Sequence, residues 1–446
     1  MNVDLTIKSK WIAPVDGKAA LLRDHSIVID DKRIIALGPQ EELKDKYSSL
    51  TEIELNDHIL IPGLINAHGH APMTLLRGIA DDLALEEWLS NKIWPLEQKF
   101  ISEQFAADGA ELAIAEMILS GTTCFADMYF YPDQVAKAAI KSSIRVQLAC
   151  PILDFPTLWA QSPDEYIQKA MKLHDDYRSS ELISIAFGPH APYTVDDGPL
   201  KKIGTMAEEL DIPIHMHVHE TAKEISDSLQ RYDCRPLQRL YKLGLVSPRL
   251  NCVHATQLIQ DEISLISDAG SSVVHCPASN MKLASGICDV TDLINSNTNV
   301  CIGTDGAASN NELDLLKEMR LASLLAKAKS QIASSLPTHQ ALEMVTINGA
   351  KALGLDESIG SLEVGKLADI TAISLDAPNT LPVNDPLSHV VYAANSTQVT
   401  HVWVGGRIVL NERRLETVDL NRIKGKASRW QRRFEQRGHH RHEKRR

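Results

Sequence analysis

The chain has 446 residues, of which 44% are hydrophobic and 23% charged, and a formal net charge of −12. This is ordinary globular composition with ample apolar material for a core, so a disordered body is excluded. The acidic balance argues against a general nucleic-acid binder, which needs a basic face to displace counterions from phosphates.

From Val3 to Ile61 the text is short and strand-like ("VDLTIKSKWIAP", "HSIVIDDKRIIALG", "TEIELNDHILIPG"), with Asp-Gly and Asp-Asp turn signals between β-branched runs. Residues 1–61 are therefore expected to form part of a small β unit. Over 62–360 apolar strands alternate with long helical stretches, as in "SEQFAADGAELAIAEMILSG" followed by "TTCFADMYF". Repeated βα units imply a parallel sheet with helices outside, most economically a TIM-like (β/α)8 barrel. Strand text returns over 361–420 ("ADITAIS", "VTHVWVGGRIVL"), so a small β-sandwich built from both termini flanks the barrel. The last stretch, 421–446, holds eleven Lys or Arg against two Glu and is read as a solvated, partly helical basic tail, with His439, His440 and His442 as tail composition. Seven scattered cysteines, never spaced as CxxC, indicate neither a disulfide framework nor a cysteine metal site. The N-terminus lacks a secretory pattern and no apolar run nears the ~20 residues of a membrane span. The expectation is a cytoplasmic protein with no membrane or nucleic-acid partner.

A barrel carries its site at the C-terminal ends of its strands, so the informative runs are those that end in groups able to bind metal or move protons. Five do: "LINAHGH" with His68 and His70, "SIAFGPH" with His190, "IPIHMHVHE" with His215, His217, His219 and Glu220, "LNCVH" with His254, and "NVCIGTD" with Asp305. Three histidines and an aspartate from different strands could surround one Zn²⁺ and leave a position open, as catalytic sites do. The period of two puts His215, His217 and His219 on one face, so pattern alone does not select the ligand among them. The glycine between His68 and His70 leaves little bulk beside an ion.

"PGLINAHGH", "HVHET", "NCVHATQL", "HCPASNMKLASG" and "IGTDGAASNNELDLLKEMRLASLL", in that order, resemble the amidohydrolase superfamily in its branch of 5-methylthioadenosine/S-adenosylhomocysteine deaminases. The likeness runs nearly the whole chain, through "LALEEWLSNKIWPLE" to "LEVGKLADI". It implies His68, His70, His217 and Asp305 as metal ligands, with Glu220, His254 and Asp305 catalytic. It further implies Glu87 and Trp88 at the ribose, His190 at the nucleoside, and Arg145 at the carboxylate of S-adenosylhomocysteine. Binuclear relatives bridge two ions with a carboxylated lysine at the fourth strand, where this chain has His190, so one divalent ion per subunit is expected, Zn²⁺ first and Fe²⁺ on the same donors. The implied reaction is hydrolytic deamination of an adenine nucleoside with release of ammonia, in a homo-oligomer, dimer or tetramer. The loop after Arg145 offers Phe155, Pro156, Leu158 and Trp159 but no second cation, which favours 5′-methylthioadenosine, deaminated to 5′-methylthioinosine, over S-adenosylhomocysteine. The alternatives are a deaminase or chlorohydrolase of a free base or s-triazine, and a non-catalytic scaffold on the same fold.

Overall fold

A computed structural model describes residues 1–18 and 21–443, with side chains through Gln436; the side chains of His439, His440 and His442 lie outside the described residues. Four strands open the chain: β1 (Asn2–Ile12), β2 (Leu22–Asp30), β3 (Arg33–Pro39) and β4 (Ser48–Pro62). Eight more follow at regular intervals: β5 (Leu64–Asn66), β6 (Thr122–Asp127), β7 (Arg145–Ile152), β8 (Ile183–Pro189), β9 (Ile214–Val218), β10 (Leu250–His254), β11 (Ser272–His275) and β12 (Asn299–Ile302). Four close it: β13 (Ile370–Ser374), β14 (Val399–Val404), β15 (Arg407–Asn411) and β16 (Arg414–Leu415).

The terminal strands form one mixed sheet in the order β16-β15-β14-β13-β4-β1-β2-β3. Three of its hairpins turn on two residues with positive φ, Asp31-Lys32, Gly405-Gly406 and Glu412-Arg413, the type I′ geometry that matches strand twist. The sheet curls until Ile34 exchanges backbone hydrogen bonds with Gly365 and Lys366, enclosing Ile7, Ile27, Ile29, Leu60, Ile370 and Trp403 in a core of its own.

β5 to β12 are all parallel and consecutive neighbours, and they make the barrel. Their side chains are almost wholly buried on both faces, which is why these segments read as continuous apolar runs rather than alternating ones. The ring closes where the Ala67 amide donates to the Ile302 carbonyl at 3.0 Å. There Asn66 and Thr304 also exchange hydrogen bonds of 2.7 and 2.9 Å. β4 runs into β5 through Gly63, where a Cβ would lie 2.1 Å from the Thr123 hydroxyl oxygen, so no larger residue fits this junction.

The basic tail differs from its expected solvated state. Leu420–Glu443 is one helix whose inner face buries Ile423 and Trp430. Its apolar residues recur at helical spacing beneath the charge run, and the mean charge of the stretch masks them. No helix among the described residues is long and apolar enough to cross a membrane.

Candidate active site

Each strand-end group reaches the barrel mouth through a specific local device. His68 and His70 follow β5, and His217 is the fourth residue of β9. His254 (φ 76°) and Asp305 (φ 61°) sit in the left-handed region, a strained conformation costing of order 1–3 kcal/mol for such residues. The alternation along β9 points both His215 and His217 into the barrel. His219 lies past the strand end at φ 56°, faces outward, and accepts the Leu237 amide at 3.0 Å.

Five groups converge. His68 Nε2 lies 3.2 Å from His217 Nε2 and 3.4 Å from Asp305 Oδ1, and His70 Nε2 is 3.2 Å from the same oxygen. The candidate ligand atoms of His68, His217 and His254, and of His68, His70 and Asp305, lie within 4.8 Å of one another. What fits this cluster to a cation is the opposite side of each ring. His70 Nδ1 donates to the Met128 carbonyl at 2.6 Å and His217 Nδ1 to the His190 carbonyl at 2.7 Å. His68 Nδ1 meets His215 Nε2 at 2.8 Å. A carbonyl on Nδ1 fixes the tautomer that leaves the Nε2 lone pair aimed inward. His215, which sequence pattern could not separate from His217, thus supports the ring of His68.

The electrostatics agree. Burial drives the pKa of His68 and His217 down, and that of His254 to about 3, so these rings are neutral donors. Burial also pushes Asp305 upward, but its close contacts with the His68 and His70 rings outweigh it and hold the carboxylate well below its usual range. Its Oδ2 accepts from Ser279 at 2.5 Å and Ser309 at 3.0 Å, and its Oδ1 from the Gly306 amide at 2.8 Å. Asn280 stands 2.9 Å from His254 Nδ1.

Glu220 Oε2 lies 3.6 Å from His254 Nε2. Burial, then the charges of Asp305, Glu224 and Glu86, raise its pKa well above the ordinary carboxyl value. Its backbone is fixed by a capping box: Thr221 accepts the Glu224 amide at 3.2 Å, and Glu224 accepts the amides of His219 and Glu220 at 3.0 and 2.7 Å. Glu224 went unnoticed in the sequence although "TAKE" carries the T-x-x-E signature.

These groups form the floor of a cleft of about 700 Å³. Its walls are mainly apolar and include Leu85, Trp88, Phe130, Phe155 and Leu158, and no Lys or Arg among the described residues lines it. Glu97 hangs from the helix Trp94–Phe100 into this cleft, accepts the Tyr129 hydroxyl at 2.7 Å, and has its pKa pushed up to about 7 by burial.

The Amidohydrolase family pattern matches residues 59–409, which takes in the whole barrel. The chain belongs to the amidohydrolase family. A 5-methylthioadenosine/S-adenosylhomocysteine deaminase of Saccharophagus degradans is 50% identical over 428 residues, 96% of each chain. A crystal structure of an adenosine deaminase from Xanthomonas campestris with bound zinc superposes at TM-score 0.96 with 45% identity, covering 98% of this chain and 99% of that one. An atrazine chlorohydrolase from Arthrobacter aurescens TC1, complexed with zinc, superposes at TM-score 0.90 with 25% identity, covering 96% and 99%.

Within this amidohydrolase fold, His68, His70, His217, His254, Asp305 and Glu220 come together, and Trp88 and His190 line the cleft above them. Two expected residues do not join them. Arg145 opens β7 at the opposite end of the barrel, where it is buried against Asp369 (2.8 and 3.1 Å) and the Glu181 carbonyl (2.6 Å). Eight residues of strand, about 25 Å at ~3.3 Å each, separate it from the mouth, so it receives no substrate carboxylate. Glu87 is exposed on the outer side of the short helix Leu85–Trp88 and does not line the cleft; Glu97, one helix later, does. Its signal in the sequence is "WPLEQ", a carboxyl one turn after Trp94. Gly69 also proves permissive, since a Cβ there meets nothing nearer than 3.6 Å. The close approach belongs to Gly303, whose Cβ would fall 2.7 Å from that of His68.

Proposed function

We propose that this chain is a metal-dependent aminohydrolase that replaces the 6-amino group of adenine nucleosides by oxygen, with 5′-methylthioadenosine as the foremost substrate. One observation carries the reading: the buried carboxyl of Glu220, its pKa raised by burial, stands 3.6 Å from His254 beside a His/Asp cluster, on the floor of a cleft that no Lys or Arg among the described residues lines. The names and similarity of the deaminase relatives support it.

His68, His70, His217 and Asp305 would hold one divalent ion, Zn²⁺ as in the similar crystal structures, with no lysine at the end of β8 to bridge a second. When bound, the ion supplies Lewis acidity and lowers the pKa of water from 15.7 to about 7. Asp305, anchored by Ser279 and Ser309, takes the proton of the attacking water. His254, its far nitrogen held by Asn280, orients the nucleophile and stabilises charge at the attacked carbon. Glu220 protonates N1 of the adenine, making C6 electrophilic; the proton held by Asp305 then passes to the departing amine, and Glu220 regains a proton from the C6 hydroxyl as it becomes the carbonyl. Water adds at C6, the C6–N bond breaks, and ammonia and the 6-oxopurine nucleoside leave. Glu97 accepts hydrogen bonds from the sugar hydroxyls, and the wall of Trp88, Phe130, Phe155 and Leu158 takes an apolar 5′ substituent. With no Lys or Arg among the described residues lining the cleft, the amino-acid tail of S-adenosylhomocysteine finds no cationic partner for its carboxylate.

The test is an ammonia-release screen of the Zn²⁺-loaded protein against 5′-methylthioadenosine, 5′-deoxyadenosine, adenosine, S-adenosylhomocysteine, guanine and an s-triazine. The first should give the highest kcat/KM, with S-adenosylhomocysteine well behind. Fastest turnover of guanine or the triazine would replace the nucleoside assignment.

A further inference from the structure

The C-terminal helix is the conspicuous element that the chemistry above leaves without a task. It lies across the corner between the helix Trp94–Phe100, which carries Glu97, and the helix Glu103–Leu119. The Phe434 ring packs edge-on against Phe100, with centroids 4.9 Å apart, and Trp430 edge-on against Phe105 at 5.2 Å. The two rings therefore grip the corner from both sides. Their placement is fixed by polar contacts with the second helix. The Trp430 indole N–H donates to Asp108 at 3.0 Å, Lys426 pairs with Asp108 and Glu111 at 2.7 and 2.6 Å, and Arg422 pairs with Glu111 at 2.8 Å. Trp430 belongs to the same apolar cluster as Met73, Leu85, Trp88, Ile93 and Tyr129. Of these, Tyr129 donates to Glu97 and the rest line the cleft.

The helix Trp94–Phe100 needs such support. It is seven residues long, follows a π-turn over Leu89–Ile93, and buries none of its own side chains fully. A helix this short is marginal by itself and is held by packing. Phe100 is one turn beyond Glu97 on it, so a contact that fixes Phe100 fixes the orientation of the carboxyl as well.

We infer that Trp430 and Phe434 are positioning residues for the nucleoside site: the C-terminal helix holds the helix Trp94–Phe100 in the register that presents Glu97 to the substrate. The kinetic arm rests on the proposed nucleoside reading; the exchange arm does not.

The experiment compares the full-length Zn²⁺-loaded wild type with Trp430→Ala/Phe434→Ala, Phe434→Leu and Trp430→Phe. It measures steady-state deamination of 5′-methylthioadenosine, bound zinc, and amide hydrogen exchange resolved over 85–100. The double variant should raise KM by about tenfold, as loosened orientation does, with kcat within about twofold and zinc unchanged. Exchange over 85–100 should quicken while β9 and β10 stay protected. Trp430→Phe, which keeps a ring against Phe105, should retain most of the wild-type KM. Should the double variant not fold, Phe434→Leu, at a half-buried position, carries the same expectation at smaller size. Unchanged KM and unchanged exchange over 85–100, with only thermal stability lost, would overturn the inference. If the wild type deaminates no adenine nucleoside, the nucleoside reading fails, and exchange over 85–100 alone decides the positioning role.

Discussion

Glu97→Ala offers the most direct test of where the substrate lies. The carboxyl is partly buried in the cleft and hydrogen-bonded to Tyr129, so truncation removes the proposed acceptor for two sugar hydroxyls and leaves the phenol without its partner. A hydrogen bond to a charged group contributes about 1.5–3 kcal/mol, and two such bonds set the loss at about 3–6 kcal/mol. At about 1.4 kcal/mol per decade, kcat/KM for 5′-methylthioadenosine should fall by at least about a hundredfold. Glu87→Ala serves as the control, since that side chain is exposed and outside the cleft, and should cost less than about twofold. The assay is ammonia release at fixed Zn²⁺, run in parallel on the 2′,3′-dideoxy analogue, which has no vicinal hydroxyls to lose. Equal losses for the two substrates, or a larger loss from Glu87→Ala, would refute the placement of the sugar.

Titration of the same group gives a pH dependence. Its pKa stands at about 7 and its ionised form is the better acceptor, so KM should fall as pH rises from 6 to 8, and Glu97→Gln should flatten that slope. Glu220→Gln should retain metal by elemental analysis while kcat drops by about 10²–10⁴, the usual span for a lost general acid. Gly303→Ala forces a Cβ to within 2.7 Å of the His68 Cβ and should weaken Zn²⁺ affinity by about tenfold or more in a chelator competition, whereas Gly69→Ala should leave it intact. Arg145→Ala strips a buried ion pair with Asp369 and should cost about 3–5 kcal/mol in urea unfolding. The same variant should leave unchanged the ratio of kcat/KM for 5′-methylthioadenosine to that for S-adenosylhomocysteine; a shift in that ratio would return Arg145 to the cleft.

What could be read ahead of the structure follows a physical line. Barrel strands announce themselves because both faces are buried, and their ends announce the site because His, Glu and Asp there interrupt an apolar run. Periodicity stops at the strand end, so it could not separate His215 from His217, which share a face and differ by one layer of depth. It also could not rank Glu87 against Glu97: both lie in one acidic, tryptophan-containing segment, and only the turn at Leu89–Ile93 determines which carboxyl faces inward. Arg145 was legible in principle, since a residue that begins a barrel strand belongs to the end remote from catalysis. The C-terminal helix was concealed by composition, its inner apolar face diluted by arginines on the outer one.

The mixed sheet has a consequence for the order of synthesis. β4 leaves the ribosome with one flank already covered by β1, but its segment His58–Pro62 pairs on the other flank with β13, which begins at Ile370. At 5–20 residues per second, roughly 15–60 s pass between the two. During that interval an apolar edge, Ile59-Leu60-Ile61, waits unpaired beside His68 and His70, the first candidate metal ligands, open to any other extended chain. Chains cut short before Ile370 keep that edge permanently, so truncations that spare every candidate ligand through Asp305 should still aggregate.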